Sequence, residues 1–203
     1  MRPVTLTTER LLLRPFRPSD ASAVHAACQD PDIPRWTSVP SPYTVRDAEH
    51  FTGAFSPQGW RADTDLSFAV LTRDTNVLVG AVGLVRLERL RTPERQAELG
   101  YWTVREHRGK GYTSEAAAAV VRWAFRDLGV ERLEWRAEAG NHGSWAVARR
   151  TGFHREGTLR GELVRAGTRR DVWIGSLLPS DLPDLDAPSG EPATRTPYLP
   201  YGE

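Results

Sequence analysis

Cysteine, methionine and lysine each occur once in the 203 residues. A single cysteine, Cys28, permits no disulfide framework and no cysteine-built metal cage, and no metal is expected. No apolar run approaches the roughly 18 residues of a membrane span. The opening MRPVTLTTERLLLRPF lacks the basic, then apolar, then small order of a signal peptide, so the cytoplasm is the expected location. Charge of one sign is also lacking: a net charge of +1 argues against broad adhesion to nucleic acid or anionic lipid, and neither is expected as a partner. What is present is 39% hydrophobic and 26% charged residues, enough to build a domain with its own core. Every basic side chain except Lys110 is arginine, which singles Lys110 out.

Leu11–Phe16 reads as a short strand, and Pro18-Ser19-Asp20 starts a helix over Asp20–Gln29. Residues 31–42 read as a proline-punctuated loop carrying Trp36. Thr44, with Asp47 three residues on, predicts an N-cap for a helix over Val45–Phe55. Phe68–Thr72, Val77–Leu87 and Ala97–Val104 read as strands, the first two joined as a hairpin. Ala117, Val120, Val121, Ala124, Phe125 and Leu128 recur at helical spacing and predict a helix over Ala116–Leu128, stopped by Gly129. A strand over Leu133–Ala139, a short helix over Ser144–Arg150 and a hairpin of His154–Val164 with Arg169–Leu178 follow. Six prolines fall in the last 25 residues, where branched apolar groups are few. The expected organisation is therefore an α+β domain over 1–178 and a Pro-rich, disordered tail over 179–203.

Arg108-Gly109-Lys110-Gly111-Tyr112-Thr113-Ser114-Glu115 joins a strand to the strongest helix. Backbone N–H groups can converge on an anion there, helped by the positive end of the helix dipole, and glycine lets a diphosphate approach the backbone. A nucleotide-hydrolase loop would need Ser or Thr directly after Gly-Lys, where Gly111 stands; a dinucleotide fingerprint would need a third glycine at Ser114. A turn with a helix cap is the plain alternative.

In context these residues carry more. Ala97-Glu98-Leu99-Gly100-Tyr101-Trp102 precedes RGKGYTSEA, and Asn141-His142-Gly143-Ser144, Val147 and Gly152-Phe153 follow. With TTERLLLRPFRPSDA at one end and EGTLR…RRDVW at the other, the chain resembles the GNAT superfamily of N-acetyltransferases in its RimJ/RimL branch over residues 6–178. The resemblance implies a mixed, mostly antiparallel sheet splayed between its fourth and fifth strands, with acetyl-CoA as co-substrate in the gap. Thr103 and Val104 would pair with the pantetheine arm. Arg108, Gly109, Lys110, Gly111, Tyr112, Thr113 and Ser114 would hold the pyrophosphate, and Asn141 would meet the arm from the other side. Thr113 stands where the family often has a smaller residue; its hydroxyl adds a bond or crowds the phosphate.

The same resemblance implies direct acetyl transfer to a primary amine, on a protein N-terminus or a small molecule; a homodimer is compatible with it. Ser144 would donate to the coenzyme sulfur, against the alternative of capping its helix. The Val104 amide would donate to the thioester carbonyl oxygen. Glu98 is the first candidate base and shares a strand face with Gly100 and Trp102; Glu162 or water is the alternative. Trp36 and Trp102 would border the acceptor, although Trp36 could equally cap the core. Cys28 reads as a buried small hydrophobe rather than a nucleophile. A non-catalytic acyl-CoA-binding module is the competing function.

Overall fold

Aliphatic residues crowd both faces of a central hairpin, which must therefore be covered on both sides. The computed structural model describes residues 1–182 together with Leu185, Thr196 and Tyr198. The hairpin is β3 (Leu66–Thr72) and β4 (Leu78–Val85), preceded by β1 (Leu6–Thr7) and β2 (Leu11–Pro15) and followed by β5 (Gln96–Thr103), β6 (Arg132–Glu138), β7 (His154–Arg165) and β8 (Thr168–Leu177). One sheet contains them in the order β1-β2-β3-β4-β5-β6-β8-β7. Neighbours are antiparallel except β5 and β6, which run parallel. This is the mixed, mostly antiparallel α+β sheet that was expected.

The helices are α1 (Ala21–Cys28), α2 (Asp32–Trp36), α3 (Val45–His50), α4 (Ser56–Ala62), α5 (Tyr112–Asp127) and α6 (His142–Arg150), with a π-helical turn over Phe51–Phe55 between α3 and α4. On one sheet face Leu66, Phe68 and Val70 meet Ala116, Val120, Val121 and Trp123 of α5 in the larger core. On the other, Ala69, Leu71 and Ala81 meet Val24, Cys28 and Ala48 of α1 and α3. Burial pushes the Cys28 thiol up to about 12, so it stays protonated at neutral pH. Thr44 caps α3 as expected: its Oγ1 accepts the Asp47 N–H at 3.3 Å, while Asp47 accepts the Thr44 N–H at 2.8 Å.

Three elements escaped the sequence reading. α2 lies inside the expected loop, held by Ile33 in the second core. The two-residue β1 is too short for any periodicity. α4 contains Pro57 and Gly59, which read as breakers; yet proline suits a helix start, and a Cβ on Gly59 would sit 2.6 Å from the Asp65 carbonyl oxygen. Glycine is there for close approach. No helix among the described residues is long and apolar enough to cross a membrane.

The expected boundary at 178/179 runs through packed chain. Pro179 is buried, Leu182 packs on the larger core, and Leu185 is 3% exposed. Arg126 Nε donates to the Leu185 carbonyl at 3.4 Å. Spaced leucines at 182 and 185 supply the apolar area that proline content obscured; the rest of the expected tail lies outside the described residues. Leu185→Ala should therefore cost about 2–5 kcal/mol, read as a lower urea midpoint at unchanged slope. An unchanged midpoint would mean that Leu185 contributes no packing.

Candidate active site

β5 and β6 part company early, and everything at the site follows from that. Their pairing is limited to Gln96↔Arg132, Ala97↔Leu133 and Glu98↔Glu134. Beyond it β5 stays on β4 and β6 on β8, which opens a cleft between the two strands expected to splay. The Val104 N–H donates to the Val79 carbonyl at 3.0 Å. Hydrogen-bonding direction alternates along an antiparallel strand, so the backbone groups of Tyr101 and Thr103 face the cleft. The Val104 amide is committed to the sheet instead, contrary to its expected use as a carbonyl donor.

At the mouth of the cleft, Gly109 and Gly111 have φ of +75° and +81°, a region that penalises side chains. No side chain caps α5, so the amides of Tyr112, Thr113 and Ser114 have no partner within the helix. Glu115 N–H returns to the Gly111 carbonyl at 3.1 Å. Successive glycine-loop and first-turn amides at the positive end of a 16-residue helix form an anion cradle. Thr113 Oγ1 lies 2.5 Å from Thr103 Oγ1, so this hydroxyl fastens α5 to the end of β5.

The arginine and lysine of the loop behave differently. Lys110 is exposed. Arg108 pairs with Asp30 and, at 2.9 Å, with Asp32. Sequence reasoning missed Arg10, whose Nη1 donates to the Lys110 carbonyl at 3.1 Å, whose Nε donates to Glu115 at 2.6 Å, and whose guanidinium stacks 4.7 Å from the Tyr112 ring centre. Thr8 Oγ1 also donates to Glu115, at 2.6 Å. These partners are about 100 residues apart in sequence, so no local pattern announces them.

Across the cleft, Asn141 is the N-cap of α6: its Oδ1 accepts the Ser144 N–H at 3.0 Å. Ser144 therefore is not the cap. Its Oγ accepts the Trp135 indole N–H at 2.9 Å and donates to the Tyr101 oxygen at 3.2 Å. The Tyr101 hydroxyl donates to the Ser144 carbonyl at 2.7 Å, and burial pushes its pKa above the ordinary phenol value, so it stays protonated.

On the opposite sheet face, Glu98 occupies the last paired rung. Burial raises its carboxyl above the usual range despite the Arg86 guanidinium. Arg86 Nε is 3.0 Å from Oε2, yet that buried oxygen accepts no hydrogen bond. Trp102 shares the face and packs on the smaller core. Trp36 is half-buried at the end of α2, outside both cores, under the Arg35 guanidinium at 4.0 Å. Arg35 holds Glu138 with two bonds of 2.8 Å, and Arg165 lies 3.3 Å from the same carboxylate. Arg165 Nη1 also donates to the Pro34 carbonyl at 2.7 Å. Glu138 was missed, although the alternation of Glu134, Arg136 and Glu138 with Leu133, Trp135 and Ala137 marks one polar face of β6. Glu162 of β7 is exposed and lies 3.3 Å from Arg136 of β6, a surface ion pair. Among the described residues no cluster of three metal-ligating side chains occurs.

The sheet thus opens at the point where the anion cradle sits. Residues 10–154 match the acetyltransferase (GNAT) domain family. An uncharacterized N-acetyltransferase, p20 of Bacillus licheniformis, is 30% identical over 178 residues, covering 86% of this chain and 96% of that one. A GNAT-family acetyltransferase structure from Bacillus anthracis superimposes with a TM-score of 0.76 at 25% identity, covering 87% and 99%. RimL, an acetyltransferase of ribosomal L7/L12 solved with coenzyme A, shares the fold with a TM-score of 0.76 at 19% identity, covering 86% and 98%. The chain belongs to the GNAT acetyltransferase family. It is an N-acetyltransferase that uses acetyl-CoA, with neighbours in the RimJ/RimL-like branch.

Proposed function

We propose that this enzyme transfers acetyl directly to a primary amine, on a protein N-terminus or a small molecule. The observation that carries the reading is the uncapped α5 cradle at the mouth of a cleft with Ser144 on one side and Glu98 at its inner end. The cradle fits a diphosphate: glycine φ values keep the backbone bare, and a Cβ on Gly109 would meet nothing within 4 Å. Gly109 to Ser114 would hold the pyrophosphate, the backbone of Thr103 and Tyr101 would pair with the pantetheine arm, and the Asn141 amide would meet it from the start of α6. Bound there, acetyl-CoA supplies an acetyl group activated as a thioester. Ser144 donates a hydrogen bond to the departing thiolate, and Glu98 accepts the amine proton through water. Trp36 and Trp102 border the acceptor.

The base need not be strong for every acceptor. An α-amine costs about 1.4 kcal/mol to deprotonate at pH 7, and a lysine amine roughly 4.6. A panel of free-amine peptides, N-blocked lysine peptides and small amines, scored by thiol release, tests the reading. Release that no amine accelerates would overturn it.

Glu98→Gln should lower kcat/KM by about 100-fold and remove an acid limb displaced above the ordinary carboxylate range. Folding raises this pKa, so the folded state binds the proton more tightly than the unfolded one. Glu98 therefore weakens the fold once pH exceeds its ordinary value, and the penalty vanishes below it. The variant should accordingly be no less stable at pH 7, which separates lost rate from lost fold. A pH profile unchanged by the substitution would assign the proton to water.

A further inference from the structure

Three side chains from three elements meet across the cleft: Tyr101 from β5, Trp135 from β6 and Ser144 from the first turn of α6. The strand backbones have parted there, and Tyr101 reaches across to Ser144 through two hydrogen bonds. We propose that Trp135 and Tyr101 are positioning residues, which fix the Ser144 hydroxyl so that its proton points to the departing coenzyme sulfur. The inference rests on the reading of Ser144 given above.

The chemistry of the three groups is suited to this. A serine hydroxyl has one proton and two lone pairs, whereas an indole N–H only donates. Trp135 therefore pins the Ser144 oxygen without competing for its proton, and accepting that bond makes the hydroxyl a better donor. Tyr101 receives the proton at 3.2 Å, beyond the usual O–H···O range. That is the longest bond of the three and the one most readily surrendered. Tyr101 is itself kept in place by its 2.7 Å bond to the Ser144 carbonyl. As the C–S bond breaks, its electron pair stays on sulfur and Ser144 turns its O–H from Tyr101 to that thiolate. The proton count closes with the one lost by the amine, which leaves through Glu98 and solvent and is returned to sulfur.

Tyr101→Phe and Trp135→Phe, each alone and combined with Ser144→Ala, test the proposal in the full-length enzyme. Hydroxylamine serves as acceptor because it is already neutral at pH 7, and turnover is read as thiol release from acetyl-CoA above the uncatalysed rate. Each single variant should lower kcat by roughly 3- to 10-fold, with the KM for acetyl-CoA changed by less than about 2-fold. Neither should slow Ser144→Ala further, since residues acting through Ser144 lose their effect without it. Losses that multiply with Ser144→Ala, or single variants at wild-type rate, would overturn the positioning role. If Ser144→Ala itself runs at wild-type rate, the reading of Ser144 falls and this inference with it; if it is slow while Tyr101→Phe is fast, only the inference falls. Trp135 is 1% exposed, so its replacement leaves a cavity. Tyr101→Phe removes a single oxygen and decides the matter should Trp135→Phe fail to fold.

Discussion

Gly111→Val should raise the dissociation constant for coenzyme A by more than about 100-fold while the fold survives. Gly111 is the residue before α5 with φ +81°, where a β-branched side chain is an outlier. Space is not the obstacle: a Cβ there would find Arg10 Nη2 at 3.5 Å, an ordinary contact. The conformation is. Valine relaxes by rotating the flanking peptide groups, which turns the 110–112 amides out of the cradle and leaves the diphosphate charges without several donors. The strain itself is on the order of 1–2 kcal/mol, small against the stability of a domain of this size. Calorimetric titration with coenzyme A, together with the melting temperature with and without it, separates the two effects. Affinity within a few-fold of wild type would show that the pyrophosphate is bound elsewhere.

Ser144→Ala carries the second large effect, on rate rather than binding. Losing one hydrogen bond to a developing thiolate should lower kcat by roughly 10- to 150-fold, with the KM for acetyl-CoA little changed. Helix capping does not confound the result, because Asn141 provides the cap. The expected structural cost is different in kind: the Trp135 indole N–H loses its acceptor in a buried setting, worth about 1–3 kcal/mol. Folded fraction and turnover must therefore be measured on the same sample. A folded variant with wild-type kcat would leave solvent as the source of the proton.

How far the sequence reached depends on the range of the interactions involved. The glycine loop, α5 and the β5 face pattern rest on residues within one turn or one strand, so Gly109, Gly111, Glu98 and Trp102 were legible. The splay was implied by resemblance and is visible in three short rungs of pairing. Arg10 with Glu115, Arg35 with Glu138, and Tyr101 with Ser144 join residues separated by 105, 103 and 43 positions. No local periodicity encodes such meetings. Arg108 was expected at the pyrophosphate because adjacency to a glycine loop is local, whereas its partners Asp30 and Asp32 lie 78 and 76 positions away in sequence. Leu185 was hidden by composition, since prolines depress an average that two well-placed leucines override locally.

The segment running through α2 is fastened to both banks of the cleft, by Asp30 and Asp32 to Arg108 after β5 and by Arg35 to Glu138 at the end of β6. The distance between strands that share no backbone ladder is thus governed by charge pairs, and their arginines are 36% and 42% exposed. Mobile ions reach such pairs, unlike the two apolar cores. Rising ionic strength should loosen this tie before it loosens the sheet, so turnover should fall with salt over a range in which the melting temperature hardly moves.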